Sequence, residues 1–187
     1  MERTRPQRAD ARRNYDALLG AAREVFAEKG TEASLEEIAR RAGVGIGTLY
    51  RNFPARQDLF EAVYVGEVEQ LCRLAGEVAD RPPWEAMQAW LRAFVGYAAT
   101  KRAIKEALTM ESAMFVSCRA DMYAAGQPLF DRAQAAGAVR ADVSFDDVLR
   151  MVSGITAGSY VDDAQRERVF AMALAGVTAT PAAPHPA

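Results

Sequence analysis

Residues 34–53 read SLEEIARRAGVGIGTLYRNF, and this stretch decides the fold of the first part of the chain. Ser34, followed three residues later by Glu37, predicts a helix start with a capping box. Gly43 predicts the end of that helix, because glycine tolerates the positive φ that a helix C-terminus often requires. A second short helix is predicted over 46–52. Two short helices joined by a tight turn are typical of a helix-turn-helix unit.

Apolar residues in the same stretch are placed to pack between the two short helices. Ile38, Val44 and Leu49 are predicted to form this apolar wedge, and Ala39 is small at the point where the helices approach each other. A preceding helix is expected over 10–29, where apolar residues recur at helical spacing. It is long enough to cover the wedge, so the sequence predicts a three-helix unit.

The rest of the sequence also predicts helices and no strands, because helix-forming residues dominate and no sustained alternation occurs. The motif Gly126-Gln127-Pro128 is expected to break or kink the chain. Ser144 with Asp147 is expected to cap one of the later helices, and Asp162 to start the last. These further helices are expected over about 56–79, from 83 onward, and over 101–125, 129–136, 145–159 and 163–177.

Composition favours an ordinary globular protein. The chain has 187 residues, of which 50% are hydrophobic and 26% charged. No apolar stretch approaches the roughly 20 residues of a membrane span, so no membrane association is expected. The basic, polar start of the chain does not resemble a secretory signal, and a cytoplasmic location is expected. Residues 1–60 carry 11 basic against 9 acidic side chains, whereas 61–187 carry 12 against 16. This mild polarity is compatible with a DNA-binding module at the N-terminus.

Residues that carry catalytic or metal chemistry are scarce. Cys72 and Cys118 show no metal-ligand spacing. Cys118 is interpreted as a small buried hydrophobe, with a redox sensor as the alternative. The single histidine, His185, excludes histidine-based triads, and no phosphate-binding glycine loop or nucleophile-elbow motif occurs. The paired acids Asp146-Asp147 and Asp162-Asp163 are explained by helix capping. We therefore expect no enzyme activity, no metal and no cofactor.

Residues spaced through the first sixty positions form one further pattern. Its members are Ala21-Ala22, Phe26, Gly30, Ile38-Ala39, Ala42-Gly43-Val44, Gly47-Thr48-Leu49-Tyr50, Phe53 and Asp58-Leu59-Phe60. With this pattern, residues 12–60 resemble the DNA-binding domain of the tetracycline-repressor (TetR) family. The resemblance fades after about residue 65.

The resemblance implies an all-α fold. An N-terminal three-helix helix-turn-helix domain is joined by a long fourth helix to a larger helical ligand-binding and dimerisation domain. The expected boundaries are a flexible basic arm over 1–9, the DNA-binding domain over 10–55, the larger domain over 56–177 and a disordered tail over 178–187.

The resemblance also implies that the third helix enters the DNA major groove with its first residues at the base edges. Base contacts are expected from Gly45, Ile46, Gly47, Thr48 and Arg51. Ile46 is suited to a thymine methyl group, with core packing as the alternative, and Arg51 could meet either a guanine or a phosphate.

Phosphate contacts are expected from residues that flank the third helix. They are Ser34, Tyr50, Asn52 and Arg56. Asn52 stands where the family commonly has His or Tyr, and Arg56 stands where it usually has Lys. Arg12 and Arg13, with the arm before them, either reach a neighbouring stretch of DNA or form a solvated basic tail.

The last two helices are expected to pair with those of a second copy in a homodimer, as the resemblance implies. The candidate interface residues are Val148, Met151, Val152, Ile155, Phe170 and Leu174. The alternative is that these side chains form a core within one chain.

Large flexible and aromatic residues in the middle of the chain are candidates for an apolar ligand pocket. They are Met87, Trp90, Phe94, Tyr97, Met110, Met114, Phe115, Met122 and Tyr123. The alternative is ordinary core packing. Polar groups in such a pocket could come from Arg102, Glu111, Arg119 and Asp121, which are otherwise surface charges.

Together these observations predict a sequence-specific DNA-binding transcriptional regulator. We expect a homodimeric repressor that leaves a palindromic double-stranded DNA operator when a small apolar or amphipathic effector binds. The alternative is a helical dimerisation or adaptor protein without DNA binding.

Overall fold

The computed structural model of the chain describes residues 5–105 and 112–179. Within these ranges there is no β-strand, and the only strand-like pairing is an isolated bridge between Val139 and Thr178. The all-α prediction is therefore confirmed. The described helices are α1 (Arg5–Lys29), α2 (Leu35–Arg41), α3 (Ile46–Asn52), α4 (Arg56–Glu77), α5 (Pro83–Ile104), α6 (Ala113–Ala135), α7 (Phe145–Ala157) and α8 (Asp163–Val177), with a 3-10 turn at Gly30–Glu32.

The chain divides into two compact units. The first comprises the described residues of Met1–Val68 and Thr100–Cys118, and the second those of Glu69–Ala99 and Arg119–Ala187. The division between Val68 and Glu69 lies within α4, later than the boundary that we expected at residue 55. The first part of α4 therefore belongs to the unit that contains the helix-turn-helix.

α1 is longer than the helix expected over 10–29. It begins at Arg5, so residues 5–9, which were expected in a flexible arm, are helical. Pro6 suits the first turn of a helix, where its missing N–H has no intrahelical partner to lose. Leu18, Val25 and Phe26 are buried on the inner side of α1, as their helical spacing predicts.

Of the break or kink expected at Gly126-Gln127-Pro128, the break does not occur, since α6 runs continuously through this motif. Pro128 removes the hydrogen bond to the carbonyl of Ala124, and α6 has buried apolar residues on both sides of it, Met122 before and Leu129 and Phe130 after. Gly126 has a packing role: a Cβ there would lie 2.5 Å from Cζ of Phe145 and 2.8 Å from the ring of Trp90.

An aromatic core fills the second unit. The ring of Phe145 lies 5.6 Å from those of Trp90 and Phe130, between ring centroids. The indole N–H of fully buried Trp90 donates to the carbonyl of Leu71 at 3.1 Å, so its polar atom is satisfied. These contacts join α7 to the parts of α4, α5 and α6 that belong to the second unit.

The predicted caps of the last two helices are confirmed. Ser144 and Asp147 form a reciprocal capping box at α7, and Asp162 accepts from the N–H of Gln165 at α8. Beyond α8, the N–H of Ala179 donates to the carbonyl of Ala138 at 3.1 Å. The first two residues of the expected tail are thus held by backbone contacts, and 180–187 lie outside the described residues. No helix in the described ranges is long and apolar enough to cross a membrane.

Candidate nucleic-acid interface

The turn between α2 and α3 is closed by backbone hydrogen bonds around Gly43. Gly43 has φ +69°, its N–H donates to Arg40 at 3.1 Å, and the N–H of Val44 donates to Ala39 at 3.0 Å. This pair of bonds is a Schellman motif, in which only glycine takes the left-handed position without strain. Gly45 then caps α3 by accepting from the N–H of Thr48 at 2.8 Å. The direction of α3 is therefore fixed locally.

The predicted apolar wedge lies on the inner side of this unit. Ile38 and Leu49 are fully buried and Ala39 is nearly so, whereas Val44 is only half-buried. The wedge is thus confirmed for Ile38 and Leu49. A consequence is that the opposite side of α3 is directed away from the core of its own unit.

The outward side of α3 carries the residues predicted to contact DNA. Ile46 is 37% exposed and Tyr50 is 48% exposed. The core-packing alternative for Ile46 is therefore wrong. Gly45, Gly47 and Arg51 are exposed as well, and Thr48 and Asn52 are half-buried.

Gly45 and Gly47 leave the positions on both sides of Ile46 without a side chain. Neither has a positive φ, and a Cβ built at either position would meet no atom within 4 Å. Both are exposed. A glycine in a helix is less stable than alanine by roughly 0.5–1 kcal/mol, so its usual reasons are backbone conformation or close approach by another group. At Gly45 the N-cap position of α3 favours glycine, and at Gly47 the open surface leaves room for an approaching molecule.

Two polar side chains of α3 bond to their own helix. Asn52 Nδ2 donates to the carbonyl of Thr48 at 2.8 Å, and Arg51 Nε donates to the carbonyl of Gly47 at 3.4 Å. Asn52 therefore presents its amide oxygen and second N–H, and Arg51 keeps its terminal N–H groups for another partner.

Ser34 caps α2, but the predicted capping box is only half formed. Its Oγ accepts from the N–H of Glu37 at 3.3 Å and donates to Oε2 of Glu36 at 2.7 Å. That bond lowers the pKa of Glu36. The Glu37 carboxylate is instead bonded by Lys29 and Arg41, because both cations lie close to it. A phosphate that bound at Ser34 would lie close to the Glu36 carboxylate, which carries the same sign of charge.

Three of the predicted phosphate contacts line one shallow depression of about 390 Å³. They are Ser34, Tyr50 and Arg56, together with the segment 31–36. The Arg56 guanidinium is already engaged there, because it donates to the carbonyls of Thr31 and Ala33. Its role therefore differs from that of a free surface cation.

Sequence reasoning missed a charged network that joins α1 to α2. Arg41 donates to both carboxylate oxygens of Glu28, at 2.7 and 2.6 Å, and to Glu37 at 2.9 Å. Lys29 also contacts Glu37. The Arg41 hydrogen bond lowers the pKa of Glu28, and the bonds from Lys29 and Arg41 lower that of Glu37. The spacing of Glu37 and Arg41 could have indicated one pair, but the partners on α1 depend on tertiary packing.

The residues predicted to line a ligand pocket lie mostly in the interior of their own units. Tyr123 is half-buried, and its hydroxyl donates to Asp146 while the Arg119 guanidinium lies over its ring. Ring contacts join Trp90 to Phe94 and Phe94 to Tyr97 at centroid distances of 5.6 and 5.3 Å. Met110, with Glu111, lies outside the described residues. The buried members are Met87, Trp90, Phe94, Tyr97, Phe115 and Met122, and Met114 is half-buried.

The residues predicted to form a dimer interface fall into two groups. Met151 and Ile155 are partly exposed on α7. The others are packed inside the second unit and form part of its core: Val148, Val152, Phe170 and Leu174. The positions of these four side chains agree with the alternative, in which they form a core within one chain.

Two family models match the chain over both of its parts. Residues 18–63 match the model described as bacterial regulatory proteins, tetR family, and residues 82–179 match the model described as transcriptional regulator SbtR-like, C-terminal domain. An HTH-type transcriptional regulator of Staphylococcus aureus (strain USA300) is 42% identical over 53 residues. That match spans 28% of this chain and 29% of the relative, so the chain matches less than a third of that relative's length.

Solved structures similar to this chain match nearly its whole length. The TetR transcriptional regulator SCO0520 from Streptomyces coelicolor is 41% identical, with a TM-score of 0.75, over 88% of this chain and 98% of that one. A TetR transcription regulatory protein from Mycobacterium vanbaalenii is 34% identical, with a TM-score of 0.69, over 92% and 99%. The chain therefore belongs to the TetR family of DNA-binding transcriptional regulators, which are not enzymes.

Proposed function

We propose that this regulator is a repressor that binds a palindromic operator as a homodimer and leaves it when a small apolar or amphipathic ligand binds. One observation carries the proposal for the DNA-binding face. Gly45 and Gly47 carry no side chain on either side of exposed Ile46, and neither position needs glycine for packing or for a positive φ. Such a surface favours close approach of an outside molecule, and the fold to which it belongs is that of DNA-binding regulators.

The contacts proposed for this face follow from the side chains that it exposes. Ile46 is suited to a thymine methyl group, and Thr48 to a hydrogen bond or a methyl contact with a base edge. Arg51 has terminal N–H groups for a guanine or a phosphate. Tyr50 and Asn52, with Ser34, are proposed phosphate contacts that set the register of the protein on the duplex.

Alanine at Gly47 tests this face directly. We expect Gly47→Ala to raise the free energy of unfolding by about 0.5–1 kcal/mol, because alanine is the better helix former. We also expect it to weaken DNA binding at least tenfold, because the new methyl group faces the groove. Fluorescence anisotropy with a duplex selected by the wild-type protein from a random-sequence pool measures the affinity, and denaturant unfolding measures the stability.

Gly76 supplies the matched control. It is an exposed glycine near the end of α4, and a Cβ there would also meet no atom within 4 Å. Gly76→Ala should stabilise the protein without changing the affinity for the selected duplex. Wild-type affinity in Gly47→Ala would contradict the proposed DNA face, whatever its effect on stability.

A homodimer is proposed because one α3 reads only one half-site. A dimer presents two recognition helices, whose separation has to match half-sites about 34 Å apart on the duplex. A two-fold axis in the protein then requires a palindromic operator. The expected result is that selected duplexes contain two inverted half-sites. Selection of a single unrepeated site would contradict the dimeric reading of DNA.

Release by ligand is proposed as a shift between two states of the dimer. In one of these states the spacing of the two recognition helices does not match the operator half-sites. A ligand that prefers this state weakens DNA binding by the difference between its binding free energies for the two states, typically about 1–3 kcal/mol. Compounds that raise the melting temperature in a screen of apolar and amphipathic molecules are then added to the protein–duplex complex. We expect at least one to lower the affinity for the duplex. Stabilising compounds that leave it unchanged, or that increase it, would contradict release.

A further inference from the structure

Arg56, in the first turn of α4, is held by two backbone carbonyls that precede α2. Its Nη2 atom donates to the carbonyl oxygens of Thr31 and Ala33, each at 2.5 Å. Neither carbonyl accepts a backbone hydrogen bond in the described part of the chain. The 3-10 turn Gly30–Glu32 is too short to use them, and the first backbone acceptor of α2 is Ser34, which bonds the N–H of Ile38. Arg56 therefore satisfies two otherwise unpaired polar groups.

The same guanidinium is fixed on its other side by an aromatic ring. Its Cζ atom lies 5.2 Å from the centroid of Phe60, one turn further along α4. Phe60 is buried, and its ring lies 4.5 Å from that of Phe26 in α1. A planar guanidinium that both stacks on a ring and donates to carbonyls has little freedom left. Arg56 thus connects the core between α1 and α4 to the start of α2.

We propose that Arg56 is a positioning residue for DNA recognition and not a phosphate contact. This inference rests on the DNA-binding face proposed above. α2 and α3 have seven residues each and are joined by the closed turn at Gly43. A shift at the start of α2 is therefore passed on to Ile46 and Thr48, at the start of α3. By holding the segment before α2, Arg56 sets the angle at which α3 meets the groove.

Lysine distinguishes the two roles of this position. Arg56→Lys keeps the positive charge that a phosphate contact needs. A lysine ammonium cannot lie flat on Phe60 while it donates to two carbonyls, because its donors are arranged around one tetrahedral nitrogen. Arg56→Gln removes the charge as well. A phosphate contact should survive the first substitution and be lost in the second, whereas a positioning contact should be lost in both.

The experiment measures affinity for the selected duplex over a series of salt concentrations, at a temperature where circular dichroism shows each variant folded. We expect Arg56→Lys and Arg56→Gln to bind about tenfold more weakly, the effect of losing one base contact. We expect the slope of log affinity against log salt to stay unchanged, because the number of neutralised phosphates is unchanged. Arg73→Lys is the control, since Arg73 is exposed on α4 and pairs with Glu69. It should bind as wild type.

Two results would overturn the proposal. One is wild-type affinity in Arg56→Lys together with a slope smaller by about 0.9 in Arg56→Gln, which identifies a phosphate contact. The other is unchanged affinity in both variants. Should Arg56→Gln fail to fold, hydrogen exchange at the α2 amides of Arg56→Lys takes its place: faster exchange than in wild type supports the proposal, and wild-type rates overturn it.

A parallel measurement separates this proposal from the one on which it rests. Thr48→Ala alters the proposed base contact without touching Arg56. If Thr48→Ala binds like wild type while Arg56→Lys does not, the assigned base contact fails and the positioning role stands. If Thr48→Ala weakens binding and Arg56→Lys does not, the DNA face stands and the positioning role fails.

Discussion

At the scale of single residues, the glycines of this chain show how one residue type serves different purposes. Gly43 supplies a positive φ for the turn before α3. Gly126 allows Trp90 and Phe145 to approach the backbone of α6. Gly47 does neither, and its lack of a side chain leaves an open surface at the start of α3. Substitution by alanine should therefore have a different effect at each position.

Gly126→Ala is expected to lower the free energy of unfolding by about 1–3 kcal/mol, the cost of overpacking a filled core. The added Cβ would lie 2.5 Å from Cζ of Phe145 and 2.8 Å from the Trp90 ring, and both rings are held by other aromatic contacts. This cost exceeds the gain of up to about 1 kcal/mol from helix propensity. Denaturant unfolding measures the change.

Gly96→Ala is the matched control, because Gly96 is exposed in α5 and a Cβ there would meet nothing within 4 Å. It should be neutral or slightly stabilising. Equal stability of Gly126→Ala and wild type would show that the rings move aside at little cost.

At the scale of elements, α8 has two faces that differ in role. Phe170, Leu174 and Val177 are buried on the inner face. The opposite face carries small or apolar residues, among which Met172 is 73% exposed. Its other small exposed members are Ala164, Ala171 and Ala175, and one charged residue, Arg168, lies among them. A homodimer through α7 and α8 would use this outer face, with Met151 and Ile155 of α7, because the inner face is occupied.

Met172→Glu is expected to convert the homodimer to a monomer, since a charge in the middle of an apolar interface loses its hydration without gaining a partner. Analytical ultracentrifugation measures the change in mass. Val161→Glu is the control, because Val161 is 90% exposed in the connection between α7 and α8. An unchanged dimer in Met172→Glu would exclude this face.

At the scale of the whole molecule, stability depends on pH through acids of two kinds. Glu67 is buried and contacts Arg23 of α1; burial raises its pKa above the ordinary value of 4.5, although Arg23 opposes the shift. Half-buried Glu37 and exposed Asp147 have lowered pKa values, because Lys29 and Ser144 bond their ionised forms. An acid whose pKa is lowered by folding stabilises the folded protein above its ordinary pKa. This stabilisation is lost as pH falls through the lower pKa of the folded state. An acid whose pKa is raised by folding stabilises the folded protein below its ordinary pKa. This stabilisation is lost as pH rises through the higher pKa of the folded state.

Glu67→Gln is therefore expected to gain stability relative to wild type as pH rises from about 4.5 toward neutrality. The folded wild-type protein binds the Glu67 proton more tightly than the unfolded chain does, so raising the pH favours unfolding. Denaturant unfolding of both proteins over this pH range measures the difference. A pH-independent difference for Glu67→Gln would contradict the assignment.

The sequence by itself determined those features that depend on neighbours along the chain. The caps at Ser144 and Asp162, the turn at Gly43 and the burial of Ile38 and Leu49 were predicted correctly, because capping, φ and helical period are local properties. Ile46 is exposed, as its predicted contact with a base edge requires, whereas Thr48 is half-buried. The family resemblance was also confirmed. The residues that carry it lie within one continuous stretch, 21–60, and can therefore be recognised from the sequence alone.

Only the tertiary structure decided which distant groups meet. Gly126 and Pro128 suggested a break, yet the rings of Trp90 and Phe145 make that glycine a packing site within one helix. Phe170 and Leu174 were correctly placed on one stripe, but whether that stripe faces its own unit or a second copy depends on the helices around it. Arg56 meets carbonyls more than twenty positions earlier in the chain. Such contacts depend on how the helices pack, and the spacing of residues along a single helix carries no information about them.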